Sequence, residues 1–144
     1  MAERPSLQVA GPSGGPVEGE VLHLDEPLSF WGGLDAATGE VIDRHHPQSG
    51  LSVAGRVLVM RSGRGSSSGS AVLLEAVRCG TAPAAIVMVE PDAIVALGAI
   101  VADELYGWPL PVVLVNEAEL AKLRTGDQVR VEHDGSVRTI NAAL

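Results

Sequence analysis

At 144 residues, with 46% hydrophobic but only 3% aromatic side chains, the chain can bury about two-thirds of its unfolded surface as one domain, around a core of Val, Leu, Ile and Ala rather than rings. Its net charge of −8 argues against a nucleic-acid partner, which needs a basic face to displace counterions, and the single cysteine, Cys79, excludes an internal disulfide and cannot itself furnish the ligands of a zinc or iron–sulfur site. No apolar run approaches the ~20 residues of a membrane helix and residues 1–15 lack the order of a secretion signal, so a cytoplasmic protein with no membrane partner is expected.

Residues 1–15 are rich in Pro, Gly and Ser with little apolar period and are expected to be a flexible N-terminal segment, leaving 16–144 as a single domain. Residues 17–24 alternate as a strand does, and 52–60 (SVAGRVLVM) predict a second strand. Between them lies a long segment of Gly, Asp and His, of the kind that a small domain keeps for function. After a polar loop, 69–78 place Val72, Leu73, Ala76 and Val77 on one helical face, with Gly80 as the stop. Residues 84–89 predict a strand. Pro91-Asp92 opens a helix over 93–97 whose extent beyond Gly98 the pattern does not fix, and 109–115 return as a strand. Asn116 caps a helix over 117–123 that ends by Gly126; 128–132 and 136–140 flank Asp134-Gly135, a hairpin signal. The fold class is mixed α/β without internal repeats.

The most informative stretch is 61–70, Arg-Ser-Gly-Arg-Gly-Ser-Ser-Ser-Gly-Ser, between a strand and a helix. Glycines let backbone approach a ligand, and a helix amino terminus offers N–H groups and partial positive charge to a carboxylate or phosphate. Serine hydroxyls add hydrogen bonds, and Arg64 adds a charge-assisted contact. A P-loop is excluded because the Gly-Lys-Ser/Thr ending is absent. The competing reading is a plain Gly/Ser loop in which Ser68 or Ser70 caps the helix.

A second stretch, 32–50, carries Gly32, Gly33, Asp35, Asp43, His45 and His46. Carboxylates and histidines serve acid–base chemistry or metal binding, but adjacent histidines point to opposite faces of a strand and do not readily converge on one ion. A turn tied down by Asp35 and Thr38 explains most of these residues equally well. Cys79 reads as a small core residue, and Trp31, Tyr106 and Trp108 as packing or interface anchors, since no basic groove surrounds them.

The ordered set Gly32-Gly33 with Asp35, Thr38-Gly39, Ile42-Asp43, His46-Pro47, Gly50, Gly55-Arg56-Val57-Leu58, Arg64 through Ser70, Ala82-Pro83-Ala84-Ala85 and Glu90-Pro91-Asp92-Ala93-Ile94 resembles the swivel domain of the aconitase X family. The resemblance implies a swivelling β/β/α domain, a barrel-like strand layer with helices outside. It further implies a stand-alone small subunit, active as a dehydratase only in a heterodimer with a large subunit that carries an iron–sulfur cluster, this chain binding none alone. Family members act on cis-3-hydroxy-L-proline in bacteria and on mevalonate 5-phosphate in archaea, and the triple serine and Glu90-Pro91-Asp92 look closer to the bacterial group. The loop also looks like the Gly-Ser-Ser-Arg segment of ordinary aconitases, with Ser68 where the arginine would stand. Carried over residue by residue, Ser66 becomes the catalytic base, with Ser67 the second choice. Arg64, Gly65, Ser67, Ser68, Gly32, Gly33, Asp35 and His46 become binding groups for a small anionic or amino-acid substrate, and none a metal ligand. The rival readings are a non-enzymatic anion-binding regulatory module and an assembly domain.

Overall fold

The computed structural model describes residues 7–10 and 16–143. In chain order they form β1 (Leu7–Ala10), β2 (Val17–His23), the kinked turn α1 (Phe30–Gly33), β3 (Leu34–Asp35), β4 (Glu40–Val41), β5 (Val57–Val59), α2 (Gly69–Cys79), β6 (Ala85–Met88), α3 (Ala93–Tyr106), β7 (Val112–Leu114), α4 (Glu117–Lys122), β8 (Gln128–Val131) and β9 (Val137–Asn141). Within the stretch expected to be flexible, β1 is an edge strand antiparallel to β7; the rest of that stretch lies outside the described residues.

The main sheet runs β1-β7-β6-β5-β2-β8-β9. Its centre, β2, β5, β6 and β7, is parallel, and the antiparallel β8–β9 hairpin joins at one side. β2 turns the corner: Val21–His23 pair with β5, while Val17–Glu20 pair with β8. One strand divided between two partners curls the sheet into a barrel-like layer. With α2 and α3 packed outside it, this is the swivelling β/β/α architecture that the family resemblance implies.

Strand alternation sorts the core into two compositions. Leu22, Leu58, Ile86, Met88, Val112 and Leu114 meet Leu73, Ala76 and Val77 of α2 and Val95, Ala99 and Ala102 of α3. Val21, Val57, Val59, Ala85, Val87 and Val113 face α4 and β8 through Leu120, Leu123, Val129 and Val131. Central strands buried on both faces read as continuous apolar runs, which is why the apolar ends of 52–60 and 84–89 signal strands. Crossovers stepping the same way from β5 to β6 to β7 lay α2 and α3 on one face.

Two strand boundaries differ from expectation, and one helix end that the sequence left open is now placed. The strand expected over 52–60 pairs in the main sheet only at Val57–Val59, because Arg56 N–H donates to the Val53 carbonyl in a turn at Gly55 (φ +69°). The strand over 109–115 narrows to Val112–Leu114, since Pro109 and Pro111 lack ladder donors. The helix opened by Asp92, whose extent beyond Gly98 the sequence pattern leaves open, runs to Tyr106. Gly98 serves close packing there: a Cβ would sit 3.2 Å from the Ser70 carbonyl oxygen and 3.1 Å from Leu73. Cys79 is exposed, not core, because it shares the outer side of α2 with Glu75, whose carboxylate its thiol approaches at 3.6 Å.

Candidate active site

In parallel sheets the crevice beyond the strands' carboxyl ends is the usual place for a ligand. Here three segments leave that edge together: 24–50 after β2, 60–68 after β5, and 89–92 after β6. They interlock through close approaches. Gly63 bridges to Leu28, and a Cβ on it would fall 2.1 Å from Asp92 Oδ2. Asp92 caps α3, its Oδ1 accepting from Ile94 N–H at 2.9 Å and Val95 N–H at 3.0 Å. Gly65 adopts φ +101°, and a Cβ there would fall 2.1 Å from Ser29 Oγ. Phe30 and Trp31 lie against Gly69 from the same side. The serine loop is thus clamped between the start of α3 and the 29–33 turn.

Within that clamp the serines differ. Ser66 Oγ accepts from Ser68 N–H at 3.1 Å, while its carbonyl accepts from Gly69 N–H at 2.9 Å. Neither Ser68 nor Ser70 caps the helix with its side chain: Ser68, at the N-cap position, has a helical conformation and no side-chain cap bond, and Ser70 Oγ donates to the Ser67 carbonyl at 3.0 Å. The Gly69, Ser70 and Ala71 N–H groups are spent on the carbonyls of Ser66, Ser67 and Ser68, so the helix end offers an incoming anion fewer donors than the sequence suggested. Among the described residues the Ser67 and Ser68 hydroxyls have no hydrogen-bond partner and are exposed.

Charge enters from two arginines. Arg61 is committed to Glu117 and, at 3.8 Å, to Glu90. Arg64 stands 3.9 Å from Asp43 Oδ2, and Asp43 also closes a turn through Oδ1 to His45 N–H at 3.0 Å. This pair joins the 32–50 stretch to the serine loop. Gly33 belongs to the same junction, its Cβ position lying 3.0 Å from Leu28 and 3.9 Å from Asp43 Cβ. Gly32, exposed with φ +79°, kinks the chain between Trp31 and Gly33.

Three residues singled out in the sequence, Asp35, Thr38 and His46, hold the backbone. Asp35 Oδ1 accepts from Ala37 N–H at 2.9 Å and Thr38 Oγ1 from Glu40 N–H at 3.2 Å, the turn that ties β3 to β4. His46 is 4% exposed. Its Nδ1 accepts from Gln48 N–H at 3.0 Å, which leaves Nε2 to donate to the Glu26 carbonyl at 2.9 Å. The ring fastens 46–48 to the exit of β2. Ser29 and Asp92 carried no signal for the loop they hold: Asp92 reads in sequence as a helix opener and as part of the family motif, and Ser29 not at all.

Among the described residues no group of three or more His, Cys, Asp or Glu could hold a metal ion, and the sole cysteine is engaged with Glu75 and Arg78. These residues do not fit an iron–sulfur cluster. No helix among the described residues is long and apolar enough to cross a membrane.

The family model described as the aconitase X swivel domain matches residues 6–140. A cis-3-hydroxy-L-proline dehydratase of Pseudomonas aeruginosa is 55% identical over 103 residues, 72% of this chain but only 18% of that protein. A phosphomevalonate dehydratase small subunit of Methanopyrus kandleri is 44% identical over 123 residues, 85% of this chain and 87% of that one. The chain thus spans about a fifth of the first relative and nearly all of the second. Among solved structures, Thermococcus kodakaraensis aconitase X in its holo-form superposes with a TM-score of 0.81 at 39% identity, covering 96% of this chain and 100% of that one.

Proposed function

Because the chain belongs to the aconitase X swivel-domain family, we propose that it is the small subunit of a dehydratase in which Ser66 takes the proton that leaves with water. The observation that carries this reading is the placement of Ser66 Oγ, on an exposed loop at the head of α2 with the Ser68 N–H aimed at it. A hydroxyl is a weak base, and an N–H donor directed at its oxygen stabilises the charge that builds there when it is deprotonated. The free hydroxyls of Ser67 and Ser68 and the guanidinium of Arg64 flank that oxygen in sequence and supply donors to an anionic substrate. Asp43, already beside Arg64, is the group a substrate carboxylate or phosphate would displace. Gly65 keeps the loop tight against Ser29, and Gly32 and Gly33 shape the opposite wall.

In this reading the catalytic iron–sulfur cluster is carried by the large subunit, as the aconitase X resemblance implies, because the one cysteine of this chain cannot furnish a cluster's ligands. The substrate is cis-3-hydroxy-L-proline, supported by the 55% identity with a dehydratase of that name. Mevalonate 5-phosphate is the alternative, supported by end-to-end similarity to small subunits named for phosphomevalonate.

The test is anaerobic copurification with an aconitase X-type large subunit and assay of both compounds. Ser66→Ala should lower kcat by at least about 10²–10⁴-fold, the usual contribution of a general base, with assembly intact. Ser67→Ala should raise KM with a smaller effect on kcat. A Ser66→Ala enzyme of normal kcat would remove the base from this residue.

A further inference from the structure

We propose that the groove between α2 and α3, with the outer face of α3, is where the large dehydratase subunit docks, an inference that rests on the small-subunit reading above. The groove, about 170 Å³, is lined by Ser70, Ala71, Leu74, Leu97, Gly98 and Val101. It begins two residues after Ser68, so a protein closing over the serine loop runs directly onto it.

The composition of α3 requires a cover. From Ala93 to Ala102 the helix carries no charged or polar side chain, AIVALGAIVA. A helix apolar all round is normally buried all round, because an outer face left in water is ordinarily polar. Yet α3 buries only the side bearing Val95, Gly98, Ala99 and Ala102, leaving Leu97 53% and Ile100 48% exposed. Trp31, 59% exposed, stands near the start of the groove, since a Cβ on Gly69 would lie 3.6 Å from Ile94 Cγ2 and 3.8 Å from the Trp31 amide nitrogen. Apart from Ile140, every exposed large hydrophobic among the described residues falls within 31–51 or 97–108. The hairpin on the far side carries Arg130 and Arg138 paired with Glu18 and Glu132 instead. A monomer seldom leaves so wholly apolar a helix face uncovered.

Length and position select the occupant. The same domain forms about a fifth of the longer dehydratase relatives and nearly the whole of the small subunits, so the remaining four-fifths must meet it covalently in one case and by docking in the other. That body has to reach Ser66, and the patch adjoins Ser66. A second copy of this chain on the same face would obstruct the loop that must meet the large subunit.

The experiment titrates an aconitase X-type large subunit against wild-type chain, Leu97→Glu on one wall of the groove, Ala71→Arg on the other, Ser66→Ala in the loop and Ile140→Glu on the far hairpin, all checked for native circular dichroism. Leu97→Glu and Ala71→Arg should each raise Kd by about 30-fold or more, the change that accompanies loss of a buried interface anchor. Ser66→Ala and Ile140→Glu should bind as wild type. Wild-type affinity in both groove variants, beside normal assembly and activity of the parent, would overturn this surface while sparing the small-subunit reading. A homodimer split by Leu97→Glu with large-subunit affinity unchanged would assign the face to a second copy and overturn it equally. Failure of the wild-type chain to bind the large subunit at all would refute both.

Discussion

Replacing Gly63 by alanine places a methyl group 2.1 Å from Asp92 Oδ2 and 2.9 Å from its Cγ. Gly63 does not adopt positive φ, so the backbone itself tolerates alanine and should even favour it by about 0.4–1 kcal/mol through the unfolded chain. The clash decides the sign. Either Asp92 swings away and the Ile94 and Val95 N–H groups lose their acceptor, a cap loss of about 1–2 kcal/mol, or the loop 60–68 shifts at an overpacking cost of about 1–3 kcal/mol. The net expectation is a loss of up to about 2 kcal/mol, which lowers Tm by up to roughly 8 °C in a chain of this size. Thermal unfolding followed by circular dichroism measures it. In an Asp92→Ala background the obstruction is gone, so Gly63→Ala should there be neutral or mildly stabilising, giving a coupling of about 1 kcal/mol or more in the double-mutant cycle. Equal costs in both backgrounds would refute the account of how the serine loop is held.

The other expectations concern the two buried polar groups. Asp127, 3% exposed, accepts from Ala143 N–H through Oδ1 and Arg124 N–H through Oδ2, both at 2.8–2.9 Å. These bonds, that from Ala143 foremost, hold its carboxyl below the usual range. The folded state therefore gains stability that is complete above the unfolded carboxyl value of about 3.9 and is lost as pH falls through the lower folded value. Asp127→Asn should cost about 1–3 kcal/mol at neutral pH, since an amide can accept only one of the two N–H groups where the carboxylate accepts both. Its deficit relative to wild type should shrink in urea titrations as pH drops below about 4; a deficit constant with pH would contradict the assignment. For His46→Ala, loss of both backbone partners should cost about 1–3 kcal/mol and speed hydrogen exchange at the Gln48 amide, with α2 and the sheet unaffected. An unchanged Gln48 amide would mean that the ring does not fasten this stretch.

The amino-acid sequence determined what depends on neighbours along the chain. Apolar runs marked the buried parallel strands, Val72 to Val77 set the inner face of α2, and Gly80 stopped it in a left-handed conformation. Asn116 opened α4 with a full capping box, and Asp134-Gly135 turned the hairpin into β9. The aconitase X resemblance was legible in the order of short motifs, none specific alone. Only tertiary structure decided the rest. That β2 divides its length between β5 and β8 depends on partners more than thirty residues away, and no local pattern encodes it. That α3 continues through Gly98 follows from the room Leu73 and Ser70 leave for it, a packing effect outweighing a weak intrinsic preference. His45 and His46 look alike in sequence, yet only His46 finds two backbone partners in the core. Three serines in a row are chemically identical until Gly63 meets Asp92 and Gly65 meets Ser29. Those contacts fix the loop's path, and the path alone puts the Ser68 N–H on Ser66 and leaves the hydroxyls of its neighbours free.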